Sequence, residues 1–159
     1  MKQHRYQSTV EWTGNRGSGT SSYTAYSRDF IATIPGKPVL PGSADPAFRG
    51  NASRWNPEDM LLAATSACHK LWYLHLCAVN RITVLSYTDH AEATMDEGDA
   101  QHAGRFVSIT LHPHVQISAD SDADKARALH HDAHAACFIA NSLQVPIHCH
   151  PTIERHPDS

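Results

Sequence analysis

The chain has 159 residues, with 13 Lys and Arg against 16 Asp and Glu and a formal charge of -3. That length suits one compact domain spanning residues 1–159, whose core needs neither disulfide nor metal to fold. The charge balance excludes the basic stripe with which nucleic-acid and anionic-membrane binders neutralise phosphates. No apolar run approaches the roughly 18 residues of a membrane span, and Met1 to Val10 is polar rather than a signal peptide. A soluble, cytoplasmic protein is therefore expected. In such a chain the four cysteines read as reduced thiols rather than a disulfide framework.

Val10 and Trp12, followed by Tyr23 and Tyr26, flank the turn-prone run Thr13-Gly14-Asn15-Arg16-Gly17-Ser18-Gly19. This pattern predicts a hairpin with a flexible connection, with a third strand at Arg28 to Ile34. From Pro35 to Asn56 the chain carries four prolines and three glycines, so regular structure is not expected there. Asn56-Pro57-Glu58-Asp59 is a strong helix start. Asn56 can cap, Pro57 suits the first turn, and two carboxylates face the positive end of the dipole. The helix should reach about Asn80, and its residues are apolar around most of the circumference, which predicts a central, buried element.

Ile82 to Met95 and Arg105 to Ser118 read as a second hairpin around Asp96-Glu97-Gly98-Asp99. Ser121 or Asp122 then caps another helix, expected to run through Cys137 to about Leu143 before Pro146 ends it. Val145 to Ile153 returns as a last strand. The order predicts an α+β fold.

Cys68 and Cys137 lie in small-residue runs, Ala63-Ala64-Thr65-Ser66-Ala67-Cys68 and Ala133-His134-Ala135-Ala136-Cys137, on two different predicted helices. Helices meeting at such faces bring cysteine Cα atoms into the ~4.4–6.8 Å range of a disulfide. Cys77, nine residues beyond Cys68, points about 180° away on the same helix and reads as core. Cys149, in Ile147-His148-Cys149-His150, reads as structural.

Asn56-Pro57-Glu58-Asp59 followed by Ala63-Ala64-Thr65-Ser66-Ala67-Cys68-His69, with Ala136-Cys137 later, resembles the two cysteine motifs of the OsmC/Ohr family. The resemblance implies antiparallel sheets wrapped around two central helices in an intertwined homodimer. It also implies a peroxidase that reduces organic hydroperoxides, needs no bound cofactor, and is recycled by an external dithiol, of the dihydrolipoamide or lipoylated-protein type. Cys68 is then the peroxidatic thiol and Cys137 the resolving one. Because the thiolate is the attacking species, a cation must assist. By resemblance an arginine does so, held by Glu58. Arg49, in the proline-rich loop, is preferred over Arg16 in the first hairpin.

Ten residues of ideal helix separate Glu58 from Cys68 by about 15 Å along the axis and about 280° around it. Either the helix breaks early, or Glu58 serves the Cys68 of another chain.

Two rival classes stand beside the peroxidase. His130, His134 and Cys137 fall at i, i+4 and i+7, a spacing that suits a metal-binding protein, although no paired Cys-x-x-Cys or His-Glu-x-x-His is present. Alternatively, a pocket lined by Trp72, Tyr73 and Phe138 holds a small apolar ligand in a non-enzymatic module.

Overall fold

The computed structural model describes residues 1–157. The chain divides into two compact units, residues 1–61 and those from Leu62 onward. Its architecture is α+β, as expected, with nine strands and three α-helices among the described residues.

In the first unit, β1 (Thr9–Trp12), β2 (Phe30–Thr33) and β3 (Leu40–Gly42) form an antiparallel sheet in that order. The expected pairing of the first strand with the Tyr23 and Tyr26 segment is not found. Thr9 faces Thr33, and Trp12 faces Phe30. The two tyrosines instead clasp Arg28, whose guanidinium lies 4.5 Å from the Tyr23 ring centroid and 3.9 Å from that of Tyr26. It also donates to the carbonyl oxygens of Tyr26 and Tyr23, each at 2.8 Å. Residues 13–29 thus form a loop, and β2, inside the expected Arg28 to Ile34 strand, is the partner of β1.

The proline-rich stretch is more ordered than expected. It contains β3 and a 3-10 turn, Pro46–Phe48, capped by Asp45. Pro41 is tolerated because β3 is an edge strand, where a missing N–H breaks no ladder. Gly42 is required by close approach, since a Cβ there would lie 2.3 Å from the Phe30 ring.

Helix α1 (Pro57–Val79) starts where the sequence indicates. Asn56 Oδ1 accepts from the Asp59 N–H at 2.8 Å, and Asp59 Oδ2 accepts from the Asn56 N–H at 3.2 Å. This reciprocal capping box satisfies two orphan donors at once.

In the second unit, the two predicted long strands and the last strand each break in two. They give β4 (Val84–Asp89) and β5 (Glu92–Gly98), β6 (Ala103–Leu111) and β7 (Pro113–Ile117), and β8 (Ile147–Cys149) and β9 (Thr152–Arg155). The breaks fall at residues 90–91, at His112, and at His150-Pro151. Pro113 and Pro151 lack the N–H that would carry a ladder through. Asp89 secures the crease by accepting from the His112 N–H at 2.7 Å and from the Ser66 hydroxyl of α1 at 2.5 Å. The result is two three-stranded sheets, β4-β7-β9 and β5-β6-β8. The β5–β6 hairpin is antiparallel, whereas β8 and β9 run parallel to β6 and β7.

Helix α2 (Ala123–Ala136) is capped by Asp122, as expected, but stops at Cys137 rather than continuing to Leu143. Cys137 has extended backbone (φ -66°, ψ 113°), and a short helix α3 (Phe138–Asn141) begins after it. The break is stabilised locally because the Cys137 sulfur accepts from the Ala140 N–H at 3.5 Å, where a capping oxygen would otherwise sit.

The core joins α1, α2 and the β4-β7-β9 sheet through Tyr73, Ile82, Val115, Ile117, Leu129 and Ala133. Cys77, 1 % exposed, belongs to this core as expected. Helix α1 is not buried all round within one chain. It buries Thr65, His69, Tyr73 and Cys77, a stripe spaced by four residues. Ala64, Ala67, Leu71, His75 and Ala78 lie exposed on another face, with Leu71 62 % accessible.

The capping box generates a stability test. Asn56→Ala removes the side-chain acceptor for the Asp59 amide and should cost about 1 kcal/mol, lowering Tm by roughly 2–4 °C in a thermal melt. An unchanged Tm would show that the cap contributes nothing.

Candidate active site

Cys68 sits on α1, one position before the buried His69 and therefore about 100° around the helix from it, at the edge of the exposed face. It is half-buried, while Cys137 is 1 % exposed. The two thiols are close enough for each to act on the other's ionisation. Burial, and then the neighbouring Cys68 thiol, push the Cys137 thiol up to about 11, so it remains protonated at neutral pH. The helix break delivers the contact: an extended residue between α2 and α3 turns the sulfur out of the helical path. The expected pairing of two small helix faces is thus a pairing of α1 with a helix junction.

The charged residues named with these thiols lie in the first unit. Arg49 is exposed and takes a left-handed backbone (φ 65°) that closes the 3-10 turn, with its guanidinium 5.6 Å from the Tyr23 ring centroid. Glu58, in the first turn of α1, lines a pocket of about 350 Å³ with Trp12, Tyr26, Arg28, Phe30 and Phe48. Among the described residues, no ion pair joins Arg49 to Glu58. Arg16 is exposed on the loop between β1 and β2. Helix α1 is continuous from Pro57 to Val79, which removes the early break as a way for Glu58 to reach the Cys68 of its own helix.

Trp72 and Phe138 meet edge to face at 5.4 Å beside the thiol pair's elements, and Trp72 also lines a shallow pocket of about 230 Å³ with Leu71 and His75. Tyr73 takes no part in such a surface. It is fully buried and donates to the Ala126 carbonyl at 2.8 Å.

The metal-competent group among the described residues differs from the one the spacing indicates. His69, His130 and Cys149 present ligand atoms within 4.8 Å of one another. His134 and Cys137 are not in this group. His130 turns inward, 3 % exposed, and Cys137 lies beyond the last helical residue, so the i+7 relation lapses. His69 Nε2 and His130 Nδ1 are 2.9 Å apart, and Cys149 Sγ is 3.8 Å from each. Tyr73 stacks on the His130 ring at 3.8 Å. Burial holds both imidazoles neutral, lowering His69 to about 4 and His130 to about 3. It pushes Cys149 up to about 12, with the Asp89 charge adding to the effect. The sequence signal for this group was present but divided: Cys149 lies on a strand whose partners only the fold reveals.

The matches to known proteins agree with this architecture. A family model described as OsmC-like protein matches residues 50–151, most of the chain, and the protein belongs to the OsmC-like family. Among solved structures, an OsmC-like protein of unknown function from Vibrio cholerae is similar at 27% identity. The match has a TM-score of 0.85 and covers 94% of this chain and 100% of that one. An organic hydroperoxide resistance protein from Legionella pneumophila is 16% identical with a TM-score of 0.68, covering 97% and 99% of the two chains. One from Elizabethkingia anophelis, with thiocyanate bound, is 17% identical at the same TM-score, covering 98% and 100%. Comparison with curated protein sequences gives no significant match. No helix among the described residues is long and apolar enough to cross a membrane.

The unequal thiols make a labelling prediction. Iodoacetamide at pH 8 should modify Cys68 first and leave Cys137, Cys77 and Cys149 largely unlabelled, because burial raises all three. In Cys68→Ser, Cys137 labelling should rise with pH toward the alkaline range, as read by peptide mass spectrometry. Faster labelling of Cys137 than Cys68 in the native protein would contradict this division.

Proposed function

We propose that the protein is a thiol peroxidase acting on organic hydroperoxides in a reducing, cytoplasmic setting. The observation that carries this reading is the neighbouring placement of two free cysteines, half-buried Cys68 and buried Cys137, close enough to affect each other's ionisation. The Cys68 thiolate attacks the distal oxygen of ROOH, breaking the O–O bond. Cys68 becomes a sulfenic acid, and the alkoxide takes a proton and leaves as ROH. The Cys137 thiol then displaces water from the sulfenic acid, giving a Cys68–Cys137 disulfide. An external dithiol, such as a dihydrolipoyl group, reduces that disulfide and completes the cycle. No bound cofactor takes part.

The apolar wall of Leu71, Trp72 and Phe138 supports an alkyl or lipid-derived substrate over hydrogen peroxide. Each methylene buried there contributes about 0.8 kcal/mol, so a chain of a few carbons gains one to two orders of magnitude in kcat/KM.

In this reading Arg49, oriented by Glu58, supplies the cation that favours the thiolate. The two side chains are unpaired within one chain, and α1 holds Glu58 about 15 Å along the helix from Cys68. A homodimer meets both conditions if each chain lends Arg49 and Glu58 to the Cys68 of its partner. The exposed face bearing Ala64, Ala67 and Leu71 supports burial of α1 between subunits.

A peroxidase assay with cumene hydroperoxide and dihydrolipoamide tests this reading. Cys68→Ser should abolish turnover, whereas Cys137→Ser should consume about one equivalent and stall as a sulfenic acid trapped by dimedone. Mixing Cys68→Ser chains with Glu58→Ala chains should restore one working site per heterodimer. Wild-type turnover in Cys68→Ser would sink the peroxidase assignment. No recovery after verified subunit exchange would sink the shared site.

A further inference from the structure

The second unit carries a group of ligating side chains that the thiol-pair chemistry does not use. His69 on α1, His130 on α2 and Cys149 on β8 converge from three elements, buried or half-buried, with no carboxylate ligand among them. We propose that His69 Nε2, His130 Nδ1 and Cys149 Sγ form a binding site for one d10 metal ion, zinc or copper(I).

Geometry carries the assignment. The three atoms make a triangle with edges of 2.9, 3.8 and 3.8 Å. A point equidistant from all three lies about 2.1 Å from each, beside the Zn–N distances of ~2.0–2.1 Å and Zn–S distance of ~2.3 Å. An ion near that point therefore reaches all three donors with shifts of a few tenths of an ångström. The donor set decides which ions fit. Imidazole and thiolate suit zinc and copper(I), whereas magnesium and calcium require oxygen ligands. Three-coordination suits copper(I) directly, and zinc completes its tetrahedron with a small ligand.

The charges around the site oppose one another, with His134 acting on His69 and Arg127 on His130 against positive charge. The Asp89 carboxylate acts electrostatically on both His69 and Cys149 and is fixed by Ser66 and the His112 amide. The Tyr73 ring locks the plane of His130 by stacking. His130 Nε2, the ring nitrogen that is not a proposed ligand, is buried and has no hydrogen-bond partner, so an ion on Nδ1 leaves that nitrogen unpartnered.

Proton balance is simple. Both imidazoles are neutral, and one facing nitrogen carries the hydrogen of the His69–His130 bond, so that ring shifts to its other tautomer when the ion enters. Cys149 releases one proton to solvent as its sulfur bonds to the metal. No redox change is required.

The site uses neither Cys68 nor Cys137, so the proposal stands apart from the peroxidase reading. The test is zinc binding by full-length protein kept reduced with a phosphine, measured by competition with a chromophoric chelator, together with cobalt(II) substitution. Wild type, Cys68→Ser and Cys137→Ser should each bind one ion per chain and show thiolate-to-cobalt charge transfer in the near ultraviolet. Cys149→Ser should lose that band and weaken zinc binding at least 100-fold, since losing a ligand costs more than the 10–100-fold of an outer-shell partner. Saturating zinc should raise the wild-type Tm by roughly 5 °C or more.

X-ray absorption of zinc-loaded and copper(I)-loaded wild type gives the ligand set without relying on a folded variant, and it separates the two ions by affinity and coordination number. One sulfur and two imidazoles are expected. Two sulfurs, or a charge-transfer band kept in Cys149→Ser and lost in Cys68→Ser or Cys137→Ser, would move the metal to the redox pair and overturn the site. Failure of reduced wild type to bind either ion would overturn it equally.

Discussion

The second unit is organised by the polar stripe that α1 buries. Thr65, His69, Tyr73 and Cys77 occupy the inward positions of a helix whose outward positions include leucine and alanine. A buried polar group without a partner costs on the order of 1–3 kcal/mol, so this stripe dictates what must pack against it. Tyr73 fixes the first turn of α2 by donating to Ala126, and His69 fixes the middle of α2 by bonding His130. Cys149 brings β8 to the same imidazoles, and Asp89, through Ser66, ties the sheet crease to the neighbouring helix position. Satisfying the stripe therefore sets the placement of α2 and two sheets together.

That arrangement leaves Cys68 beside the buried stripe but outside it. Being about 100° around from His69 places it between interior and exposed face, where a thiol is shielded on one side and reachable on the other. Cys137 reaches it because α2 ends at Ala136 and the extended backbone of Cys137 takes its buried sulfur out of the helical path. The four cysteines accordingly fall into different physical situations: Cys77 is packed, Cys149 stands among imidazoles, and Cys68 and Cys137 face each other. Sulfur chemistry in this chain is separated by location rather than by residue type.

Much of this was legible in the sequence where the determinants are local. The Asn56-Pro57-Glu58-Asp59 start of α1 and the Asp122 cap are encoded within four residues, and each lies where the pattern indicates, whereas β5 runs on through Gly98 and moves the expected Asp96 to Asp99 turn to residues 99–102. Determinants that depend on distant partners were not legible. The Arg28 clasp on Tyr23 and Tyr26 displaced an expected strand, and the creases at His112 and Pro151 split strands that alternation alone reads as continuous. Apolar content suggested a helix buried all round, whereas the buried stripe is its polar one. His130 was noticed for its spacing to His134 and Cys137, yet its real neighbours are 61 residues away on α1 and 19 away on β8.

The central claim is that Cys68 and Cys137 act as one redox couple while the other two thiols do not. Its most direct test is to give reduced wild-type protein one equivalent of cumene hydroperoxide, block remaining thiols under denaturing conditions, and map the peptides without reduction. The account predicts a Cys68–Cys137 disulfide in most chains, with Cys77 and Cys149 recovered as blocked thiols. A Cys68 disulfide to Cys77 or Cys149, or Cys68 recovered as an unoxidised thiol, would contradict it.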